Sequence, residues 1–222
     1  MLTGILNGKN KLQNIEFRMI RKFHFIIVLC FVLLSSCAEN YSPEEKKYIA
    51  EVEQSRKEKD DYMQNDPNSP FNFKGKVEFH TLKYFDVNPN FVFESSLFEY
   101  STKDTISIFG TKGEERNVIR YGFVNFDHDK KTFRLNVYKG FSKSSEEYFS
   151  IWFTDKTTNE KSYGVGRYLD FELNPDKNFI YTIDFNLAYN PYCAYSADYT
   201  CAIPTKEDFV DLKIEAGEKK YH

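Results

Sequence analysis

The sequence has little of what most enzymes and nucleic-acid-binding proteins use. Its 222 residues include only four histidines and four cysteines, and the Gly-x-Ser-x-Gly, His-Glu-x-x-His and Walker-loop patterns are absent. Basic residues are not in excess, because the formal net charge is -3. A negative chain of this kind is not expected to bind nucleic acid. The sequence therefore predicts no metal and no cofactor, and it leaves any catalytic residue unknown.

The apolar run at 23–34 is too short for a membrane-spanning helix. It follows a short basic segment and ends in Leu34-Ser35-Ser36-Cys37, which resembles a bacterial lipobox. This pattern predicts a signal peptide over 1–36, with 1–18 as an over-extended start, and lipidation of Cys37. An ordinary signal peptide that happens to contain a cysteine is the alternative. Lipidation would place the protein in the bacterial cell envelope, facing the periplasm or the surface, with the acylated Cys37 as its contact with the lipid bilayer.

After a tether at 37–41, residues 42–65 have the pattern of a helix. Ser42 is a good N-cap and Pro43 suits the first helical position. A thin apolar stripe indicates that the helix lies across the domain, although a solvated stalk is equally consistent with its first half. Asp66-Pro67 ends it.

Residues 71–222 form the predicted β-rich domain. Aromatic residues make up 18% of the sequence, and short alternating segments are separated by turn residues. About nine strands with hardly a helix among them indicate a mainly β fold, either an antiparallel sandwich or a half-open barrel with one N-terminal helix. The predicted strands are 77–85, 91–100, 105–109, 118–126, 132–138, 148–153, 166–173, 179–187 and 209–216.

The segment 163–218 concentrates residues that are costly to bury without a partner. Strand alternation places Arg167 on the same face as Val165 and Leu169, so its guanidinium needs a carboxylate or an anionic ligand. A small-molecule cleft is one interpretation, and an ion pair with Asp184 or Glu218 that braces the sheet is the other. The candidate ligand-binding residues are Tyr163, Arg167, Tyr168, Asp184, Asn186, Tyr189, Asn190 and Glu218.

Cys193 and Cys201 flank a short loop rich in tyrosine and alanine. In an oxidising envelope such a pair favours a loop-closing disulfide. A metal or thiol site is the alternative, but there is no Cys-x-x-Cys pattern and no histidine nearby to support it.

Four motifs in this region resemble the signature of an uncharacterised bacterial and archaeal family, catalogued as domain-of-unknown-function family 1684. They are Tyr-Gly-x-Gly-Arg-Tyr-Leu at 163–169, the stretch 184–195, the Cys-x-x-Pro step at 201–204 and Ala-Gly-Glu-Lys at 216–219. The resemblance extends from about Ser42 onward and is most specific in the last third. Ala202-Ile203-Pro204-Thr205 departs from the Pro-rich step that the family usually shows. The resemblance implies a β-rich, often lipid-anchored domain without an established activity, and relatives without export signals argue against a disulfide as the general purpose of the cysteines.

Together these features predict an envelope lipoprotein of unknown activity, a non-catalytic β domain that binds a partner or a small ligand. An anionic ligand near Arg167 is the expected type. The alternative is a hydrolase-like enzyme that uses Asp184 and Glu218 as paired carboxylates, or Cys193 as a thiol nucleophile. A purely structural interaction module is a third interpretation.

Overall fold

A computed structural model describes residues 41–73, 77–142 and 145–222 of the protein. The predicted signal peptide and the lipidation of Cys37 lie outside the described residues. Pro43–His222 form one compact unit. Among the residues that the structure describes, no helix has both the length and the apolar character needed to cross a membrane.

The N-terminal helix α1 spans Pro43–Asn65, where the sequence predicts a helix over 42–65. Glu44 and Glu45 lie in its first turn, where carboxylates interact favourably with the helix dipole. Only Val52 and Met63 are buried, so the apolar stripe is as thin as the sequence indicates.

Polar contacts fix α1 along its length to the β domain. The Tyr48 hydroxyl donates to Asp184 Oδ2 at 2.6 Å, and Arg56 Nη1 donates to the Phe85 carbonyl at 2.9 Å. Near the C-terminal end, Lys59 Nζ lies 2.7 Å from Glu218 Oε1. The first half of α1 is therefore docked through Tyr48, and the interpretation of this half as a solvated stalk is wrong.

The described residues contain nine strands and one α-helix, which confirms the mainly β prediction. Seven strands form one sheet, in which β2-β4-β5-β6-β7 are neighbours in that order, β3 also pairs with β4, and β9 pairs with β6. A second sheet consists of β1 and β8, and neither sheet closes into a barrel. All pairs are antiparallel except β6–β9. The strands are β1 Val92–Ser96, β2 Phe98–Glu99, β3 Thr105–Phe109, β4 Glu115–His128, β5 Lys131–Phe141, β6 Glu147–Asp155, β7 Arg167–Phe171, β8 Ile180–Asp184 and β9 Phe209–Val210.

The strand predicted at 77–85 is absent from the structure. Within this described segment only Tyr84 forms a β-bridge, with Glu218. Leu82 is instead buried in a cluster with Met63 of α1 and Phe71. The alternating pattern of 77–85 therefore reflects packing of an irregular segment and not pairing in a sheet.

The two faces of the large sheet have different roles. Ile151 and Phe153 of β6 point into the main core, which lies between the two sheets. The Phe171–Tyr181 stack, with ring centroids 4.5 Å apart, joins those sheets. Side chains alternate along a strand, so Trp152 points to the opposite face. There it belongs to a smaller cluster with Ile108, Val118, Tyr138 and Ala202. This outer face forms the floor of the candidate site.

Candidate functional site

Arg167 is buried in the core and not in a cleft. Its side chain is 1% exposed, and Nη2 lies 2.8 Å from Asp155 Oδ2, whose side chain is 0% exposed. The guanidinium also donates to the carbonyls of Ile214, at 2.8 Å, and Ala216. Burial lowers the pKa of Arg167, and the Asp155 charge opposes that shift. The ion pair therefore braces the C-terminal segment, with Asp155 as partner in place of Asp184 or Glu218.

Both carboxylate oxygens of Asp155 also have hydrogen-bond partners within the protein. Its Oδ1 accepts hydrogen bonds from the backbone and the hydroxyl of Thr157, at 2.8 and 2.6 Å. Its Oδ2 accepts from the Ile214 backbone at 3.0 Å. A buried ion pair is tolerated only when the remaining polar atoms also find partners, as they do here. The expectation of an anionic ligand at Arg167 thus loses its basis.

Asp184 and Asn186 also have internal partners. Asp184 caps the 3-10 turn Phe185–Leu187 by accepting from the Asn186 backbone at 2.8 Å, and Asn186 exchanges hydrogen bonds with the backbone of Asn88 at 2.8 and 2.9 Å. With Tyr48, these residues dock α1. Asp184 also lines a small cavity of about 150 Å³ between β7 and β8, but neither residue lines the larger cleft on the outer face of the sheet.

Glu218 is the centre of a separate buried group. It accepts hydrogen bonds from the Asn190 backbone, at 2.8 Å, and from the Tyr195 hydroxyl, and it forms the ion pair with Lys59. Glu218 and Asp184 share none of these hydrogen-bond or ion-pair partners. Asp184 and Glu218 are therefore two structural carboxylates, each held by its own partners, and not the paired carboxylates that the hydrolase alternative requires.

Two of the predicted residues, Tyr168 and Tyr189, line a cleft of about 590 Å³ on the outer face of the large sheet. Its floor is Trp152, which stacks on Tyr138 with ring centroids 4.7 Å apart and planes 9° from parallel. The Tyr168 hydroxyl donates to the Ala202 carbonyl and so fixes the loop above. The remaining walls come from strands β4, β6 and β7, from the 189–202 segment and from the C-terminal half of helix α1. Most of the lining side chains are not among the residues predicted from the sequence; they include Lys59, Tyr62, Arg116, Tyr148, Trp152, Asp170, Tyr192 and Tyr199.

The charged residues of the cleft are not equivalent. Arg116 donates to Glu114 Oε1 at 2.6 Å, and Lys59 is paired with Glu218. Asp170 is exposed and accepts a hydrogen bond from the Tyr189 hydroxyl at 2.5 Å. No cationic side chain among the described residues forms a salt bridge with it.

Tyr168, Tyr189 and Tyr192 of the cleft remain protonated at neutral pH. Burial is the largest cause that raises the pKa of Tyr168, Tyr189 and Tyr192. The nearby charge of Asp170 raises the pKa of Tyr189 and Tyr192 further. These hydroxyls are therefore neutral, and those of Tyr168 and Tyr189 already donate their protons, to the Ala202 carbonyl and to Asp170.

Cys193 and Cys201 are free thiols in the structure, so the predicted disulfide is not formed. The Cys193 backbone N–H donates to Cys201 Sγ at 3.3 Å, and the Tyr163 hydroxyl lies 3.8 Å from Cys193 Sγ. The hydrogen bond from the Cys201 thiol is the main cause that lowers the pKa of Cys193 to about 6, and burial opposes it. Cys201 lines the cleft beside Thr200. Within the described ranges, no group of three or more His, Cys, Asp or Glu residues is placed to hold a metal ion.

The fold and the site define a mainly antiparallel β protein with one docked helix and an aromatic cleft on the outer face of its large sheet. The chain belongs to the family described as "Protein of unknown function (DUF1684)", whose family model matches residues 77–219. This confirms the resemblance seen in the sequence.

Among solved structures, the chain is similar to the solution NMR structure of an uncharacterized protein from gene locus rrnAC0354 of Haloarcula marismortui. The two are 27% identical with a TM-score of 0.58, and the match covers 79% of this chain and 96% of the other. No curated protein matches the sequence.

Proposed function

We propose that the protein is a lipid-anchored envelope protein whose β domain binds a small organic molecule in the aromatic cleft without catalysing a reaction on it. The observation that carries this proposal is the cleft itself. Its volume of about 590 Å³ lies within the range of about 300–1,000 Å³ that is usual for small-molecule sites. Such sites combine apolar walls with a few polar groups, which is the composition found here.

The arrangement of the rings supports a flat or compact ligand. Trp152 and Tyr168 form a floor, with ring centroids 5.8 Å apart, while Tyr192 and Tyr199 stand edge to face at 5.2 Å. Aromatic side chains contribute large contact areas and have few rotatable bonds to restrict on binding. A ligand between these groups would contact ring faces and uncharged hydroxyl groups.

The lipobox at Cys37 supports the location of the protein. A single acyl chain anchors weakly, whereas the diacylglycerol of a lipoprotein supplies the second chain that stable anchoring needs. The proposal therefore places the β domain in the envelope, held to a bilayer by its N-terminal cysteine.

Trp152 allows a direct test of the cleft because it is the only tryptophan in the sequence. We expect at least one compound from a collection of small aromatic, cationic and sugar-like molecules to change the Trp152 fluorescence saturably. Tyr192→Ala removes one wall, and the loss of stacking of about 1–3 kcal/mol should weaken binding about tenfold or more. The measurement is a fluorescence titration of purified protein.

The matched control is Phe209→Ala. This residue is also aromatic and 50% exposed, but it lies on β9 and is not part of the cleft lining. Its affinity for the same compound should equal that of the wild type. A collection without any saturating compound, or equal affinities for Tyr192→Ala and the wild type, would contradict the proposal.

A further inference from the structure

The geometry points to an organic cation, such as a quaternary ammonium group, as the ligand of the aromatic cleft. This inference rests on the proposed function, because it names the chemical class that the same cleft would take. The cleft has two features that suit a cation, an unbalanced carboxylate in its lining and several exposed ring faces.

Asp170 is the one lining charge among the described residues that lacks an ionic partner. The two cationic side chains of the cleft are each neutralised within the protein, Lys59 by Glu218 at 2.7 Å and Arg116 by Glu114 at 2.6 Å. Asp170 accepts only a neutral hydroxyl, that of Tyr189. A ligand with a positive charge would supply the missing partner at this end of the cleft.

The rings next to Asp170 have faces that attract cations. A cation within about 6 Å of a tyrosine or tryptophan ring centroid is stabilised by the negative potential of the ring face. The protein already uses one such contact, because Lys59 Nζ lies 4.8 Å from the centroid of the Tyr189 ring. The Tyr192 and Tyr199 rings offer further faces in the same lining.

Asp170 also acts on the neighbouring hydroxyls. Its charge contributes to the raised pKa of Tyr189 and Tyr192, although burial is the largest cause in each case. Because Glu218 and Glu114 are paired with Lys59 and Arg116, Asp170 is the charge of the lining that a cation would balance.

An anionic ligand has weaker support. Arg167, the residue that suggested an anion, is 1% exposed and pairs with Asp155. An anion at Arg116 or Lys59 would compete with a carboxylate that already holds each cation. It would also approach Asp170, which costs electrostatic energy.

The test uses two probes of nearly the same shape, choline and its uncharged analogue 3,3-dimethylbutan-1-ol, with benzoate as an anionic aromatic probe. Each is titrated into the purified full-length protein, and binding is followed by Trp152 fluorescence at low ionic strength. We expect choline to bind about tenfold more tightly than the neutral alcohol, since desolvated cation–π contacts and a carboxylate both add to its affinity.

Asp170→Asn keeps an oxygen that can accept from Tyr189 but removes the charge. In this variant the preference for choline over the alcohol should fall to the part that the cation–π contacts supply, about threefold, while binding of the alcohol persists. Glu94→Gln removes the same charge from an exposed position on β1 and should leave the preference unchanged.

The outcomes separate the two proposals. Equal binding of choline and the alcohol, tighter binding of benzoate, or a choline preference that is undiminished in Asp170→Asn would overturn the cation assignment and leave the cleft as a binding site. If all three probes fail while an uncharged or anionic compound of the collection still binds to the wild type and not to Tyr192→Ala, that result would also reject only the cation. Failure of every compound would overturn both.

Discussion

Replacing Arg167 with methionine should lower the free energy of unfolding by about 3–5 kcal/mol, because the change leaves the Asp155 carboxylate buried without its counter-ion. The Asp155 side chain is 0% exposed, so water cannot take over the role of the guanidinium. The carbonyls of Ile214 and Ala216 would lose their donor as well. Chemical denaturation of the wild type and the variant measures this difference.

The pair Lys156–Asp211 provides a matched control for Arg167→Met. Its atoms are also close, at 2.7 Å, but the side chains are 45% and 62% exposed. Lys156→Met should therefore cost less than about 1 kcal/mol. Arg167→Met combined with Asp155→Leu should recover part of the loss, although Thr157 and the Ile214 amide would still lack their acceptor. A cost below about 1 kcal/mol for Arg167→Met alone would show that the ion pair does not brace the fold.

Replacing Cys37 with serine should abolish incorporation of a fatty-acid probe and release the protein from membranes. The thiol of the lipobox cysteine is the atom that would carry the diacylglycerol, and the serine hydroxyl does not replace it. Without two acyl chains, the remaining attraction to a bilayer is too weak for stable anchoring. Metabolic labelling and membrane fractionation of cells that produce the full chain measure both effects.

Cys30→Ser is the control for the lipidation experiment. Cys30 lies in the apolar run ahead of the lipobox and would leave with the signal peptide. This variant should be labelled and fractionated like the wild type. Labelling of Cys37→Ser at the wild-type level would refute the anchor.

Local patterning was sufficient to predict most of the fold, because alternation and turn residues mark the strands directly. It failed where backbone groups find side-chain partners instead of a neighbouring strand. The predicted strand 209–216 is only Phe209–Val210 in the structure. Beyond it, the Ile214 amide and carbonyl are bound by Asp155 and Arg167. Such contacts between distant residues leave no mark in a local pattern.

The candidate site was harder to predict than the fold. Alternation correctly placed Arg167 on the apolar face of its strand, but its partner depends on the register of β6 with β7, in which Phe153 lies opposite Arg167. The same register puts Trp152 beside Tyr168 on the other face, where the cleft lies. The segment 163–218 was interpreted as a binding site because its buried polar residues have no evident partners in the sequence. Their structural partners lie in other parts of the chain, where a local pattern does not reveal them. The cleft is formed by aromatic residues from several separate segments, and each of them alone resembles an ordinary strand or loop.

The cleft between Trp152, Tyr168 and the tyrosine-rich loop is the proposed binding site, and the position of a bound ligand tests this most directly. The measurement is a set of intermolecular NOEs between the protein and the compound that binds most tightly in the Trp152 titration. We expect NOEs from the ligand to the ring protons of Tyr189, Tyr192 and Tyr199, which line the cleft. NOEs confined to rings elsewhere, such as the stacked pair Phe98 and Phe123 on β2 and β4, would contradict it.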